Sequence, residues 1–378
     1  MSNKLSIDTH NIVSTADAET IIEKMASTIK NHPEQVKDLP PILLRGAPGI
    51  GKSTIIKDVA KKLNIDFIDI RLSQMEPVDL RGLPVPNHES KSVEWYVTSD
   101  LPRDPNSKGI ILFDEITAAD RSLQVASYEL ILDRRLGKLY KLPDGWYIVA
   151  AGNRTIDKAI STTMSSALAN RFLHFDVEAD IESWRKWAIQ HNIHPSVIGY
   201  LSFKPEMLHK MDGQNLECGW PSPRSWERVS NIMNMSNDDS ILRKMIYGLI
   251  GPSVGLEFFE FYKMNNHFDD VLKMMTDPNA KIVIPTKLDQ KYAMVSAATY
   301  LVWNSDDNDE LNKRVDGLFR IALELTSDFA TMLFINAMLG NNRISRIDAA
   351  KRIIHSKLYP DFQKKFEDVL RKVKKYKV

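Results

Sequence analysis

Eight consecutive residues, Gly46-Ala47-Pro48-Gly49-Ile50-Gly51-Lys52-Ser53, constrain this chain more than any others. They fit the pattern G-x-x-x-x-G-K-[ST], and their surroundings suit it. Pro41-Ile42-Leu43-Leu44 ahead of them is a short apolar run that reads as a buried strand. Behind them Ile55, Ile56, Val59, Ala60 and Leu63 recur at helical spacing. Strand, glycine loop and helix together form the setting of a phosphate-binding loop. The glycines allow backbone N–H groups to wrap phosphate oxygens, and the helix N-terminus adds partial positive charge. In such a loop Lys52 reaches the β- and γ-phosphates and Ser53 ligates Mg²⁺.

Length and composition narrow the class. At 378 residues the chain is long enough for two domains and a substantial core without staples. Its net charge of +1 gives no electrostatic footprint for a dedicated nucleic-acid binder. Cys218 is the single cysteine, which excludes an intramolecular disulfide and a CxxC metal knuckle and fits a reducing, cytoplasmic compartment. Met1 to Glu19 has no apolar signal core, and no apolar run reaches the roughly 18 residues of a membrane span.

Along the chain, residues 1–14 read as a loose lead-in. Ser14-Thr-Ala-Asp17 forms a capping box for a helix with Ala18, Ile21, Ile22, Met25 and Ile29 on one face. Asp66–Leu72 alternates as a strand, and Ser73–Pro84 reads as a loop. Val85–Val97 and Arg135–Leu142 read as hairpins, the second turning at Gly137. Further strands are expected at Ile110–Phe113, Trp146–Ala151 and Phe172–Val177, with a helix at Ser122–Leu132. Strands alternating with helices imply a parallel sheet covered on both faces. Beyond Asp180 only helices are expected, among them Gln290–Trp303, Asp309–Leu325 and Asp328–Leu339.

Three further segments carry chemistry. Ile110-Ile-Leu-Phe113-Asp114-Glu115 delivers two carboxylates to the sheet's C-terminal edge, where ligands bind in such sheets. Asp114 there suits a Mg²⁺ shell, and Glu115 suits polarising an attacking water. Ile148-Val-Ala-Ala-Gly152-Asn153 ends a strand in an amide that can sit between water and γ-phosphate, although Asn also commonly closes strands as a turn residue. Arg171, after Leu168-Ala-Asn, can stabilise phosphate charge in a neighbouring subunit, or it is a solvated helix-capping cation.

In this order the motifs resemble the AAA+ ATPases, and within them the MoxR-like ATPases, over roughly residues 35–230. The resemblance implies an α/β P-loop core with a parallel sheet flanked by helices, followed by an all-helical lid and a helical C-terminal extension. It identifies Gly46–Ser53 as Walker A, with Thr54 completing the nucleotide-binding segment. Ile110–Glu115 is Walker B, Asn153 sensor 1 and Arg171 the arginine finger. Pro221-Ser-Pro-Arg224-Ser-Trp226 resembles the sensor 2 segment, making Arg224 a contact from the lid to the γ-phosphate. Asp79-Leu-Arg-Gly82-Leu-Pro84, Leu142-Pro-Asp-Gly145-Trp146 and Met164-Ser-Ser-Ala-Leu168 are also similar to the family's local phrases. The hairpins at 85–97 and 135–142 then correspond to the helix-two insert and the pre-sensor-1 hairpin, which face the central pore in ring assemblies of the group.

Other features have plainer readings. His191 and His194 lie three apart but lack a third metal ligand, and Cys218 reads as a buried or inert thiol. Trp184 and Trp187 read as lid core. Phe362, Phe366, Val369, Val373 and Tyr376 share a face of a lysine-rich C-terminal segment, expected to dock on the lid with its basic face solvated.

The sequence thus leads to a nucleotide-binding domain at 1–178, a lid at 179–270 and an extension at 271–378. The expected function is Mg²⁺-dependent ATP hydrolysis between subunits of a homo-oligomer, a hexameric ring, remodelling or activating a protein partner. By the resemblance, that partner carries a von Willebrand A-type domain. The alternative on the same core is a nucleic-acid motor or DNA-processing ATPase, its hairpins and basic tail on DNA.

Overall fold

The computed structural model describes residues 11–89, 91–137, 140–157, 164, 166–211, 218–235, 238–265 and 268–366. The chain divides between Ala179 and Asp180 into two compact units.

The first unit begins with β1 (Ile12–Ser14), α1 (Thr15–Asn31), β2 (Ile42–Arg45), α2 (Lys52–Leu63), β3 (Asp66–Arg71) and α3 (Pro77–Arg81). It continues with β4 (Leu83–Asn87), β5 (Ser92–Tyr96), β6 (Gly109–Asp114), α4 (Arg121–Asp133), β7 (Arg135–Leu136) and β8 (Tyr140–Lys141). β9 (Trp146–Gly152), α5 (Ser166–Ala169) and β10 (Leu173–Glu178) complete it. Six strands form one parallel sheet in the order β1-β10-β2-β9-β6-β3, and two antiparallel hairpins, β4-β5 and β7-β8, stand outside it.

The alternation within the central strands explains the layers. Ile110 and Leu112 of β6 point to one face, where they meet Ala18, Ile22 and Ile29 of α1 and Ile56 and Val59 of α2. Ile111 and Phe113 point to the other, against Leu123, Ala126 and Leu130 of α4. Buried on both faces, β6 and β9 read as continuous apolar runs instead of alternating ones. α1 starts at the capping box: Ser14 Oγ accepts from Asp17 N at 3.0 Å, and Asp17 reaches back to Ser14.

Two expectations about this unit need correction. The lead-in contains β1, which pairs with β10 through Ile12↔Asp176 to Ser14↔Glu178. Three residues are too short for periodicity to register; the strand exists because β10 offers an edge to pair with. The loop after Leu72 contains α3, a single helical turn with Pro77 at its start and a Glu76–Asp79 capping box, holding Leu80 in the core. Pro77 sits at the first helical position, where a helix tolerates it.

Among its described residues the second unit has helices and no strand: α6 (Ile181–Gln190), α7 (Pro195–Phe203), α8 (Pro223–Met235), α9 (Asp239–Ile250), α10 (Pro252–Asn265) and α11 (Phe268–Thr276). α12 (Leu288–Val302), α13 (Asn308–Glu324), α14 (Ser327–Met338), α15 (Arg346–Ile354) and α16 (Tyr359–Lys365) follow. Gly199 lets α7 approach α12 closely, since a Cβ there would lie 3.2 Å from Ala293 Cα. Tyr200, Trp226 and Phe258 form an aromatic cluster with ring centroids 5.2–5.5 Å apart. Trp303, Phe319, Phe334 and Phe362 form the core of the later helices. The buried Arg314 donates to Leu301 O (2.6 Å) and Asn304 O (2.9 Å), satisfying carbonyls at the end of α12, while Glu310 neutralises it. Phe362 and Phe366 are buried against this core; residues 367–378, with most of the expected basic face, lie outside the described residues. Trp184 is buried, Trp187 stacks on His191 with centroids 4.4 Å apart, and Cys218 is exposed, not buried. Cysteine's general preference for the interior does not decide the burial of one residue.

His194 caps α7, its Nδ1 accepting from Ser196 N at 3.2 Å, with Tyr262 and Phe268 edge-on to the ring. Burial depresses its pKa from 6.5 to about 4. The native state therefore resists a proton that the unfolded chain accepts below pH ~6.5, so stability falls as pH drops from ~6.5 toward ~4. By this linkage His194→Gln should remove up to about 3 kcal/mol of that pH dependence. Urea unfolding at pH 7 and pH 4.5 checks it.

Candidate nucleotide site

The sheet order brings three strand ends together. β2 lies between β10 and β9, the chain leaves it through α2 for the far edge at β3, and it later crosses back from β9 to β10. The C-terminal end of β2 is thus a topological switch point, where parallel sheets open a crevice. Gly46 after β2, Asp114 at the end of β6 and Asn153 after β9 all border it.

Glycine is required at the loop's entry by space. A Cβ on Gly46 would lie 2.5 Å from Val177 O and 2.6 Å from Ile50 Cδ1. Gly46 N donates to Gly152 O at 3.2 Å, tying the loop to β9. Ala47 and Ile50 are buried and anchor the loop, and Gly51 caps α2 at φ +103°, in the left-handed region, with no side-chain hydrogen bond to the helix amides. The N-terminus of a twelve-residue helix therefore meets the loop without a side-chain cap.

Lys52 is only 8% exposed. Its Nζ donates to Gly46 O (2.7 Å), Ala47 O (3.0 Å) and Asn153 Oδ1 (3.3 Å). Ser53 Oγ donates to Asp114 Oδ2 at 2.6 Å. These contacts link the phosphate-loop segment with the β6 and β9 ends that the sequence picked out separately. Asp114 Oδ1 in turn accepts from Glu115 N at 2.8 Å. Glu115 has φ +57°, a conformation uncommon outside glycine, which turns the chain sharply after β6. Beneath the loop, the buried Asp176 of β10 pairs with Arg45 Nε at 2.9 Å and fastens β2 to its neighbour.

The donor set fits a nucleoside triphosphate with a divalent cation. A helix N-terminus and a buried ammonium suit phosphate oxygens, and a hydroxyl beside a carboxylate supplies hard oxygen ligands. Pro48, Gly49 and Thr54 lie along the same loop and first helical turn, Thr54 being exposed.

Arg171 and Arg224 are positioned differently. Arg171 is exposed just after α5, at the opposite end of the sheet from Gly46, because Leu173 N at the start of β10 donates to Pro41 O ahead of β2. Arg224 is exposed on the first turn of α8.

Two residues escaped the sequence. Ser73, just beyond β3, donates its hydroxyl proton to Glu115 Oε2. Thr117 Oγ1 accepts from Asn153 N (3.0 Å) and donates to Asn153 O (3.2 Å), and it fills the space over Gly152, where a Cβ would lie 2.6 Å away. A polar residue just beyond the carboxylates or at the end of a neighbouring strand was the available signal. Strand adjacency was needed to interpret it.

Residues 41–172 match the family described as AAA domain (dynein-related subfamily). A 162-residue stretch, 40% of this chain, is 28% identical to midasin of Giardia intestinalis, and it covers only 3% of that protein. The Thermotoga maritima RuvB Holliday junction branch migration motor is 17% identical, over 70% of this chain and 78% of that one, with a TM-score of 0.34. A mutant form of the same Thermotoga maritima protein is 16% identical over 69% of this chain and 78% of that one, with the same score of 0.34. The family match supports an AAA+ ATPase core in the first unit.

Thr117→Val keeps the shape at this position and deletes the hydroxyl that anchors Asn153. ATP turnover should fall about tenfold with nucleotide affinity within about twofold, and Thr117→Ser should restore it. Steady-state hydrolysis alongside equilibrium nucleotide binding checks both parts.

Proposed function

We propose that this chain is a MoxR-like AAA+ ATPase that hydrolyses Mg²⁺-ATP between subunits of a homo-oligomeric, hexameric ring to remodel or activate a partner protein. The observation that carries this is the joining of Lys52, Ser53, Asp114 and Asn153 by direct hydrogen bonds at one switch point, with Arg171 exposed at the other end of the sheet.

In this reading the loop amides and Lys52 bind the triphosphate. Ser53 and Asp114 would hold Mg²⁺, which would supply positive charge to offset that of the triphosphate. Glu115 orients the attacking water and draws off its proton, and Ser73 fixes the carboxylate that does so. Asn153, with its backbone fixed by Thr117, positions its amide beside the water and the γ-phosphate. Arg171 faces away from its own loop, which suits supplying positive charge to the site of the next subunit. Residues 1–178 form the nucleotide-binding domain, 179–270 a lid that contains Arg224 and 271–378 an extension. The partner carries a von Willebrand A-type domain, and the setting is cytoplasmic; no described helix is long and apolar enough to cross a membrane.

Glu115→Gln should bind ATP with near-normal affinity and lose hydrolysis by about 10²-fold or more. Normal turnover in this variant would remove Glu115 from its role. Arg171→Ala subunits should be inactive alone and regain activity when mixed with Lys52→Ala subunits, because each supplies what the other lacks. ATPase assays across mixing ratios test this, and no rescue at any ratio would count against a shared site.

A further inference from the structure

The β4-β5 hairpin is built to be paired on one side only. β4 runs Leu83-Pro84-Val85-Pro86-Asn87, and its register sets Pro84 opposite Trp95 and Pro86 opposite Val93. Proline has no N–H, so these are the non-hydrogen-bonded pairs of the ladder, whose backbone groups point away from the partner strand. The outer edge of β4 therefore offers no donor at either position, a common way of blunting an edge. The outer edge of β5 keeps the N–H and C=O groups of Val93 and Trp95. Among the described residues, no backbone hydrogen bond outside the hairpin uses them. The side chains of both are exposed, at 58% and 44%.

A groove of about 450 Å³ adjoins the end of β5, lined there by Glu94, Trp95 and Tyr96 and by Val97 just beyond it. Arg103 and, from β8, Tyr140 and Lys141 complete its lining. Tyr140 is held by a hydrogen bond from its hydroxyl to Pro102 O at 2.9 Å, and Arg103 donates to Val97 O at 2.9 Å, so the walls are fixed. The lining holds two cations, Arg103 and Lys141, and one carboxylate, Glu94, which accepts from Asn87 Nδ2 at 2.7 Å. Asp144 lies 3.7 Å from Lys141 Nζ.

We propose that the β5 edge and this groove receive an extended segment of a client polypeptide, added as a third strand, with an apolar side chain against Trp95 and Tyr140 and an acidic one toward Arg103 and Lys141. This deepens the protein-remodelling reading and rests on it. A neighbouring copy of this chain is a poor occupant. Its β4 edge has only acceptors at Pro84 and Pro86. Pairing β5 with a second β5 is two-fold and does not propagate around a cyclic ring. An extended backbone with free donors and acceptors completes the edge, and alternate side chains give selectivity.

The test uses the full chain with Mg²⁺-ATP and a reduced, carboxymethylated α-lactalbumin probe, an acidic and permanently unfolded polypeptide. Hydrogen exchange at the Val93 and Trp95 amides should slow when the probe is added, and unchanged exchange would overturn the proposal. Val93→Pro, which removes one edge donor, should weaken probe binding by about tenfold or more, while Val93→Ala stays within about threefold. Basal ATP turnover should be unchanged in both variants. Equal binding by the proline and alanine variants would also overturn it. So would equal protection of the same amides by a single-stranded thymidine oligonucleotide, which would give the groove to nucleic acid. Protection by the probe without any stimulation of ATP turnover would keep the strand site and remove the remodelling reading.

Discussion

A primary amine lies almost out of water where β2 hands over to α2, and the first unit is organised around solvating it with protein. Lys52 Nζ is held by carbonyl oxygens of the loop and by the amide oxygen of Asn153. Burying an ammonium is costly unless oxygens replace its water. Those oxygens come from β2's exit and β9's exit, so the two strands must be neighbours and parallel. The same closeness explains Gly46: the loop passes against Val177 of β10, leaving no room for a side chain.

From that point outward, each strand end contributes through its neighbour. β6, beside β9, brings Asp114 to Ser53 and turns at Glu115 with a positive φ. β3, beside β6, brings Ser73 to Glu115. Thr117, just past the β6 turn, is bonded to the Asn153 backbone at the end of β9. The site is a chain of contacts across the ends of adjacent strands, which is why it survives on a set of short hydrogen bonds instead of one long element. The hairpins stand outside the sheet, and among the described residues no strand of the sheet pairs with them.

Much of this was legible beforehand. The P-loop pattern located β2, the loop and α2, since glycines and a lysine at fixed offsets between a strand and a helix admit few alternatives. Apolar runs located β6 and β9, and the Ser14–Asp17 box located the start of α1. β1 and α3 were not legible: three residues and five residues carry too little periodicity, and tertiary partners decide their state. Exposure of Cys218 was likewise invisible to a residue-type preference.

The sequence by itself determined which residues are able to do chemistry, because Lys52, Ser53, Asp114, Glu115 and Asn153 are set by local patterns around strand ends. Only the tertiary structure decided which of them touch. Strand order is a long-range property, set by how helices cover both faces of the sheet, and it is strand order that joins Lys52 to Asn153 across 101 residues and Ser53 to Asp114 across 61. Ser73 and Thr117 belong to that second category. Each is an ordinary hydroxyl in the sequence, and adjacency alone makes one a partner of Glu115 and the other an anchor for Asn153.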